Sequence, residues 1–345
     1  MSELPRLSVV VPVHNAQLTI DRCLGALLSS DLSKSEWELV VVDDASTDVS
    51  ASLAASSADV LLKLPGRPQG PAFARNRGSE VARAPIICFV DSDVCVHASA
   101  LTRILAHFAA DPGLAGVFGS YDESPGDRGF ISQYRNLLHH YIHQRSGGEV
   151  ESFWAGCGAL TRTAFVEAGR FDENRFDRAQ IEDVELGYRV RDRGGRIVLD
   201  PGIRGTHLKQ WTLVKMVWVD FYHRGVPWMK LLLERGRLFG GGLSIGAQEK
   251  ISVVVIGAAV LTLASAIVAQ RPEWLLLPAW LLTVFAAINF RLLAWFARVK
   301  GVWFAVRVLP MLLLYNATNV AAAVYGVGAH FFVRAAKQTK THTAR

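Results

Sequence analysis

Only four cysteines occur in the 345 residues, Cys23, Cys88, Cys95 and Cys157, and none belongs to a Cys-x-x-Cys pair. That scatter argues against a disulfide framework and reads as reduced, structural thiols of a cytoplasmic domain. No apolar core of an export signal lies between Met1 and Leu7, and Val9-Val10-Val11 is too short to be one, so the N-terminal domain is expected in the cytoplasm. There is also no block of Lys and Arg with interleaved exposed aromatics, which argues against nucleic acid as a partner. The formal charge of +6 and pI near 9.2 are those of a membrane protein with basic flanks on the cytoplasmic side.

What is present divides at about residue 211. Half of the residues are hydrophobic and the mean hydropathy is +0.22, but the excess falls after Lys250. Before that point, strands alternate with helices. Leu7 to Val13 is a continuous apolar run ending in Pro12-Val13-His14-Asn15, the pattern of a buried parallel strand and its turn. Ala16 to Leu28 has helical spacing. Glu38 to Val42 is a second strand, ending in Asp43-Asp44-Ala45-Ser46-Thr47-Asp48, and Val60 to Leu64 a third. A helix is expected from Ala72 to Arg83 and a strand from Pro85 to Val90. Such an alternation implies an α/β domain with a parallel sheet and helices on both faces.

The Pro85 to Val90 strand ends in Asp91-Ser92-Asp93. Alternate residues of a strand point the same way, so both carboxylates can face one spot beyond its end, where open α/β sheets bind ligands. Two carboxylates suit a hard divalent cation that also takes phosphate oxygens. An isolated Asp-x-Asp is more often a plain acidic turn. Here Asp43 and Asp44 end a neighbouring strand on the same sheet edge, so the four aspartates can converge.

Further along, Leu114 to Tyr121 and Ile197 to Leu199 read as strands, and Ile131 to Gln144 as a helix with an unusual Leu137-Leu138-His139-His140-Tyr141 face. Phe153 to Ala159 is small and glycine-rich. Thr163 to Gly169 reads as a short helix, and another starts at Ile181-Glu182-Asp183-Val184-Glu185, with acids in its first turn. Residues 212–250 alternate aromatic, apolar and basic positions, as an interfacial amphipathic helix does. Ile251 to Ala269 and Trp274 to Phe290 are apolar enough to span a bilayer, and Val308 to Val333 is a third candidate containing Pro310, Asn316 and Asn319. Residues 291–307 read as an interfacial segment on the cytoplasmic side, and 334–345 as a basic tail.

The motif order resembles that of family 2 glycosyltransferases. It runs Val9-Val10-Val11-Pro12-Val13-His14-Asn15, Val41-Val42-Asp43-Asp44-Ala45-Ser46-Thr47-Asp48, Ala74-Arg75-Asn76-Arg77-Gly78, Phe89-Val90-Asp91-Ser92-Asp93, Gly156-Cys157-Gly158-Ala159 and Glu182-Asp183-Val184-Glu185-Leu186. The likeness covers about residues 7 to 211. It implies a GT-A, Rossmann-like nucleotide-diphospho-sugar transferase domain in residues 1–211, followed by C-terminal transmembrane helices at 251–333. It also implies inverting transfer of a sugar from a nucleotide-sugar donor, with a divalent metal, Mn2+ or Mg2+, as cofactor.

By that resemblance Pro12, Val13 and Asn15 line the base and ribose pocket. Asp44 accepts a hydrogen bond from the base, with Asp43 as its partner. Uracil has an N–H that a carboxylate can read, so a UDP-sugar is favoured. Arg75, Asn76 and Asp91 lie on the nucleotide side, Asp93 and Asp91 hold the metal, and Asp183 is the general base. Gly156, Cys157, Glu182, His207 and Trp211 belong to the acceptor or diphosphate side. His207-Leu208-Lys209-Gln210-Trp211 lacks the arginine before the tryptophan that processive members carry. The expectation is therefore a non-processive, multi-pass enzyme of the cell membrane, with its catalytic domain in the cytoplasm. Its acceptor would be a lipid or lipid-linked glycan of the cell envelope. The alternatives are a processive polysaccharide synthase and a catalytically silent sugar-nucleotide-binding membrane protein.

Overall fold

In the computed structural model of the chain, the apolar run Leu7–Val13 is an inner strand, β1, buried along its whole length. Strands covered on both faces read as unbroken hydrophobic runs. The structure describes residues 4–236 and 247–342, with side chains at 4–236 and 248–330. The end of the expected interfacial segment, from residue 237 to 246, and the side chains of the basic tail lie outside the described residues. The chain divides into two compact units, with the boundary between Thr212 and Leu213.

The first unit begins β1, α1 (Ile20–Leu28), β2 (Trp37–Asp44), α2 (Ser50–Ala54), β3 (Val60–Leu64), α3 (Pro71–Val81) and β4 (Ile86–Val90). It continues β5 (Val94–Val96), α4 (Ala100–Ala110), β6 (Leu114–Tyr121), α5 (Phe130–Arg145) and β7 (Gly148–Val150). Last come β8 (Cys157–Thr161), α6 (Arg162–Glu167), α7 (Glu182–Asp192) and β9 (Arg196–His207). The sheet order is β3-β2-β1-β4-β8-β6-β9-β5, with β7 paired to β9. From β3 to β4 every pairing is parallel, as expected. Beyond β4 the sheet is mixed: β8 runs antiparallel to both β4 and β6, and β5 antiparallel to β9. The strand expected at Ile197 to Leu199 extends to His207, because its second half pairs with β5 and with the end of β6.

Close packing on the sheet needs glycine in one place above all. A Cβ on Gly78 would lie 2.4 Å from Val10 Cγ1 and 2.8 Å from Val42 Cγ2, so α3 rests directly on β1 and β2. Polar groups inside the sheet are paired. Ser8 Oγ donates to buried Glu38 at 2.6 Å and accepts from Ala84 N at 2.9 Å. This meets the requirement that buried polar groups be hydrogen-bonded. β5, α4 and β7 do not figure in the sequence expectations, and β8 was not expected as a strand.

The second unit holds α8 (Leu213–Trp218), a π-helical stretch at Val219–Gly225, α9 (Val226–Glu234), α10 (Ala247–Val268), α11 (Leu276–Ile288), α12 (Phe290–Lys300) and α13 (Val302–His342). Among the described residues, two helices are long and apolar enough to cross a membrane, Gln248–Val268 and Val302–His330. Pro272–Ile288 and Phe290–Lys300 pass that test only as a pair, bent by 58°. The segment expected at 291–307 therefore stops at Lys300. Gly301, at φ +91°, ends α12 in a conformation that costs glycine least, and the following residues belong to α13. Asn289 at the bend donates to Ser252 Oγ and to Phe285 O.

Candidate active site

The carboxyl ends of β1, β2 and β4 lie on one edge of the sheet because these strands run parallel. The backbone leaves β1 and β2 in the left-handed region at Asn15 (φ 49°) and Ala45 (φ 53°). Asparagine tolerates that conformation, whereas alanine there is strained, and such strain clusters at functional sites. The two turns are stitched together. Asn15 N donates to Ser46 Oγ at 3.0 Å, Thr47 N donates to Asn15 Oδ1 at 2.9 Å, and His14 Nδ1 is 2.8 Å from Asp44 O. The Asp44 carboxylate accepts from Gln69 N and Gly70 N at 3.0 and 2.7 Å, which closes the third loop over the same edge.

The turn after β4 is clamped from both sides. Asp91 N donates to Gly156 O at 3.2 Å, just before β8, and Leu208 N donates to Asp93 O at 2.8 Å, just after β9. The antiparallel insertion of β8 and the long β9 thus carry Gly156 and His207 to Asp91 and Asp93. The Asp93 carboxylate faces two basic side chains, His207 Nε2 at 3.5 Å and Lys209 Nζ at 4.0 Å from Oδ2. Burial would raise its pKa, but His207 and then Lys209 outweigh that and hold Asp93 ionised, well below the usual carboxylate range.

Asp91 has a different partner. Arg75, on α3 and 4% exposed, donates through Nη2 to Asp91 Oδ1 at 2.6 Å and through Nη1 to Glu182 Oε1 at 2.9 Å. Burial opposes the guanidinium's charge, and Asp91, Glu182 and Asp183 together more than offset it. One side chain therefore joins the acidic turn to the start of α7. Beside it, Asp183 Oδ2 accepts from Ala155 N at 3.1 Å and Oδ1 from Val184 N at 2.8 Å. Burial, with the neighbouring charge of Glu182, pushes the Asp183 carboxyl up to about 7, against the pull of Arg75. A carboxylate poised there can exchange a proton near neutral pH.

Residues 8–169 match the family model described as Glycosyl transferase family 2. The sheet unit is a family 2 glycosyltransferase domain. Over 226 residues the chain is 28% identical to validoxylamine A glucosyltransferase of Streptomyces hygroscopicus subsp. limoneus, an alignment covering 56% of this chain and 49% of that protein. The chain spans about half the length of the curated relatives it matches. In fold it is similar to the Pyrobaculum calidifontis mannosyltransferase PcManGT in complex with GDP-Man and Mn2+. That likeness has a TM-score of 0.57 and 19% identity, over 94% of this chain and 88% of that one. S. aureus TarS residues 1–349 in complex with UDP-GlcNAc gives a TM-score of 0.51 and 16% identity, over 92% and 89%. The domain thus has the GT-A-like mixed sheet expected of its motifs.

Within this glycosyltransferase domain the expected residues fall into two groups. Asp91, Asp93, Arg75, Glu182, Asp183, Gly156 and His207 form one connected set through the contacts above. The others take packing or scaffold positions. Pro12 and Val13 are buried in β1 opposite Val42 and Asp43, and Asp43 Oδ1 accepts from Ser46 N. The Asn76 amide exchanges hydrogen bonds with Phe171 and reaches Glu173, so it holds the 171–173 loop. Cys157 is buried in β8 and burial pushes its thiol up to about 12, which leaves it inert as a nucleophile. Gly156 has no room for a side chain, since a Cβ would lie 2.2 Å from the Trp154 ring. Trp211 is buried, with its backbone N–H on Ser132 Oγ and Lys209 over its ring.

The sequence reading missed Tyr121, Asn136 and Trp154. Tyr121 stacks on His207 with ring centroids 4.2 Å apart and 7° between planes, and meets Trp154 edge-on at 4.8 Å. Asn136 Oδ1 accepts from His207 Nδ1 at 2.6 Å. Asn136 lies on α5 beside the unusual Leu137 to Tyr141 face, whereas Tyr121 ends β6 and Trp154 precedes β8.

A divalent ion can be tested against this set. Among the described residues no group of three or more His, Cys, Asp and Glu side chains forms a cage. Asp93 and His207 nevertheless converge, one an ionised oxygen donor and the other an imidazole nitrogen. Mg2+ and Mn2+ are usually held by one or two protein groups plus phosphate oxygens. The donor set fits an ion that arrives with a diphosphate.

Proposed function

We propose that this chain transfers a sugar, with inversion, from a nucleotide-diphosphate donor to the hydroxyl of a lipid or lipid-linked acceptor at a membrane surface. The observation that carries this reading is the Arg75 bridge. It fixes the acidic turn, suited to a diphosphate, and the start of α7, suited to a base, on one framework. A misplacement of such groups by even about 1 Å can cost about 100-fold in rate, so a rigid link between them has catalytic value.

Asp93 and His207 would hold a Mn2+ or Mg2+ ion, with Asp91 alongside; bound there, the ion would neutralise charge on the departing diphosphate. Lys209 adds a fixed positive charge on the same side. Asn15, Asp43 and Asp44 line the edge where the base and ribose would lie. A carboxylate that reads the N–H of uracil favours a UDP-sugar. TarS in complex with UDP-GlcNAc supports that choice, whereas PcManGT in complex with GDP-Man supports a guanine nucleotide. Asp183 would take the acceptor proton as the new bond forms. Inversion proceeds without a covalent sugar–enzyme intermediate, so the base has to act in the same step.

The apolar helices of the second unit suit a multi-pass protein of the cell membrane. Arg291, Arg298, Lys300 and Arg307 mark the cytoplasmic side. Anchoring an enzyme where its acceptor resides raises the effective concentration of that acceptor. The buried position of Trp211 and the small number of candidate spans weigh against a polymer-extruding synthase.

Purified protein, incubated with a panel of nucleotide sugars and Mn2+ or Mg2+, should hydrolyse one donor slowly and transfer its sugar to a hydroxyl of a glycolipid or lipid-linked glycan. No turnover of any donor, with any acceptor, by protein that binds nucleoside diphosphates would favour the silent sugar-nucleotide-binding alternative.

A further inference from the structure

We propose that Asn136 is a positioning residue that sets the tautomer of His207. It holds a ring proton on Nδ1, so that Nε2 is the nitrogen left to ligate an ion beside the Asp93 carboxylate. The inference rests on the reading that Asp93 and His207 hold a divalent ion.

The geometry begins with α5. Asn136 is 1% exposed, and among the described residues its one side-chain hydrogen bond is Oδ1 to His207 Nδ1, at 2.6 Å. An amide oxygen only accepts, so the ring nitrogen must donate. The opposite nitrogen, Nε2, is 3.5 Å from Asp93 Oδ2. With Nδ1 committed as donor to Asn136, Nε2 is the one ring nitrogen left to face Asp93. Tyr121 adds orientation, because its ring lies parallel to the imidazole at 4.2 Å and blocks rotation out of that plane.

The amide does this at a cost. Its Nδ2 is buried and has no hydrogen-bond partner. An apolar side chain would avoid an unsatisfied donor, and among the described residues the bond to His207 is what this amide makes in return. Groups that fix the far nitrogen of a metal-binding imidazole set its tautomer and basicity, and their loss typically lowers metal affinity about 10–100-fold.

The test is Mn2+ affinity of the full chain in detergent with UDP present, read from the paramagnetic resonance signal of free Mn2+. It is combined with side-chain 15N shifts of His207, assigned by difference against His207→Ala. In the parent, His207 should carry its proton on Nδ1. Asn136→Leu should weaken Mn2+ about 10–100-fold, while Asn136→Asp, which keeps the acceptor, should stay within about threefold of the parent. A ring protonated on Nε2 but not on Nδ1 in the parent overturns the proposal. So does parent-like Mn2+ affinity in Asn136→Leu when Asp93→Ala and His207→Ala have both lost it. Parent-like affinity in Asp93→Ala and His207→Ala would instead sink the metal reading itself, and the role of Asn136 with it. Should Asn136→Leu fail to fold, the parent's 15N shifts and the affinity of Asn136→Asp decide the matter.

Discussion

Arg75 Nη2 stands 2.6 Å from Asp91 Oδ1, a contact between a guanidinium buried in α3 and a carboxylate at the end of β4 that is a third exposed. The same guanidinium's other arm reaches Glu182, so its removal strands two acids at once. Breaking a buried ion pair from one side typically costs about 3–5 kcal/mol. The exposure of Asp91 moves the expectation to about 3 kcal/mol for Arg75→Met, which keeps the apolar stem. Adding Glu182→Gln should recover part of that loss, giving a coupling of about 1–2 kcal/mol. Thermal unfolding of the single and double variants in the same detergent measures both. Additive losses would mean that the bridge is not a unit.

The Asp183 carboxyl, pushed up to about 7, makes two pH predictions. As a base it works only when ionised, so the transfer rate should rise about tenfold per pH unit below 7 and level off above it. Stability runs the other way. The folded state keeps its proton up to about 7, whereas the unfolded chain releases it near 3.8. Between those values the folded state binds more protons, so this group's contribution to stability falls as pH rises. Asp183→Asn keeps the shape and removes both effects. It should lower transfer by about two orders of magnitude or more and leave donor affinity near the parent's. Its stability should lose the fall between about pH 4 and 7, while the amide nitrogen, which cannot accept, gives up one of the two backbone hydrogen bonds. Near-parent transfer by this variant, with a dead Glu182→Gln, would move the base to Glu182.

The parallel half of the sheet was legible because its strands are apolar runs that end in turn-forming residues, with β1 and β2 buried throughout. Leu7–Val13 and Val60–Leu64 have the bounds their composition implied, as does Leu114–Tyr121 in the mixed half. The antiparallel insertion was not. Cys157–Thr161 is short and rich in small residues, so it reads as a close-approach loop, and only pairing with β4 and β6 makes it a strand. α4 had a readable pattern in Ala100, Leu101, Ile104, Leu105 and Phe108, all buried. For the site, spacing and motif order point to Asp91, Asp93 and Asp183. Local sequence carries no trace of Arg75 turning to Asp91 and Glu182, since those contacts span 16 and 107 positions. Asn136 is equally hidden, because its meaning depends on a partner 71 residues away.

Gly187 tests how firmly α7 must seat. A Cβ there would lie 2.2 Å from Phe153 N and 2.5 Å from Ser152 C, both backbone atoms that cannot yield as a side-chain tip can. One helical turn earlier, Asp183 Oδ2 accepts from Ala155 N in the same segment. Gly187→Ala should therefore lift α7 and move Asp183. Overpacking of this kind typically costs about 1–3 kcal/mol. Transfer should fall by at least about tenfold while UDP affinity changes little, because a displaced base costs rate rather than binding. Parent-like kinetics would show that α7 tolerates the shift and that Asp183 is not held by this contact.

The bent pair α11 and α12 makes the topology testable. If α10 crosses the bilayer, the turn at Gln270 to Arg271 lies on the far side. The amphipathic α12, with Arg298 and Lys300 in its last turn and Leu292 and Phe296 buried, then returns to the near side. Basic residues close to a span favour the cytoplasmic side. The bend at Asn289 would let α11 span and α12 lie along the interface, although α11 alone, Leu276–Ile288, covers only about 20 Å at 1.5 Å per residue. A bilayer core of about 30 Å requires either the preceding turn Pro272–Leu275 and part of α12 inside it, or local thinning. A reporter fused after Gln270 should lie outside the cytoplasm, and one after Lys300 inside. The same side for both would make the pair a re-entrant loop. Val302–His330 would then be the second full crossing instead of the third.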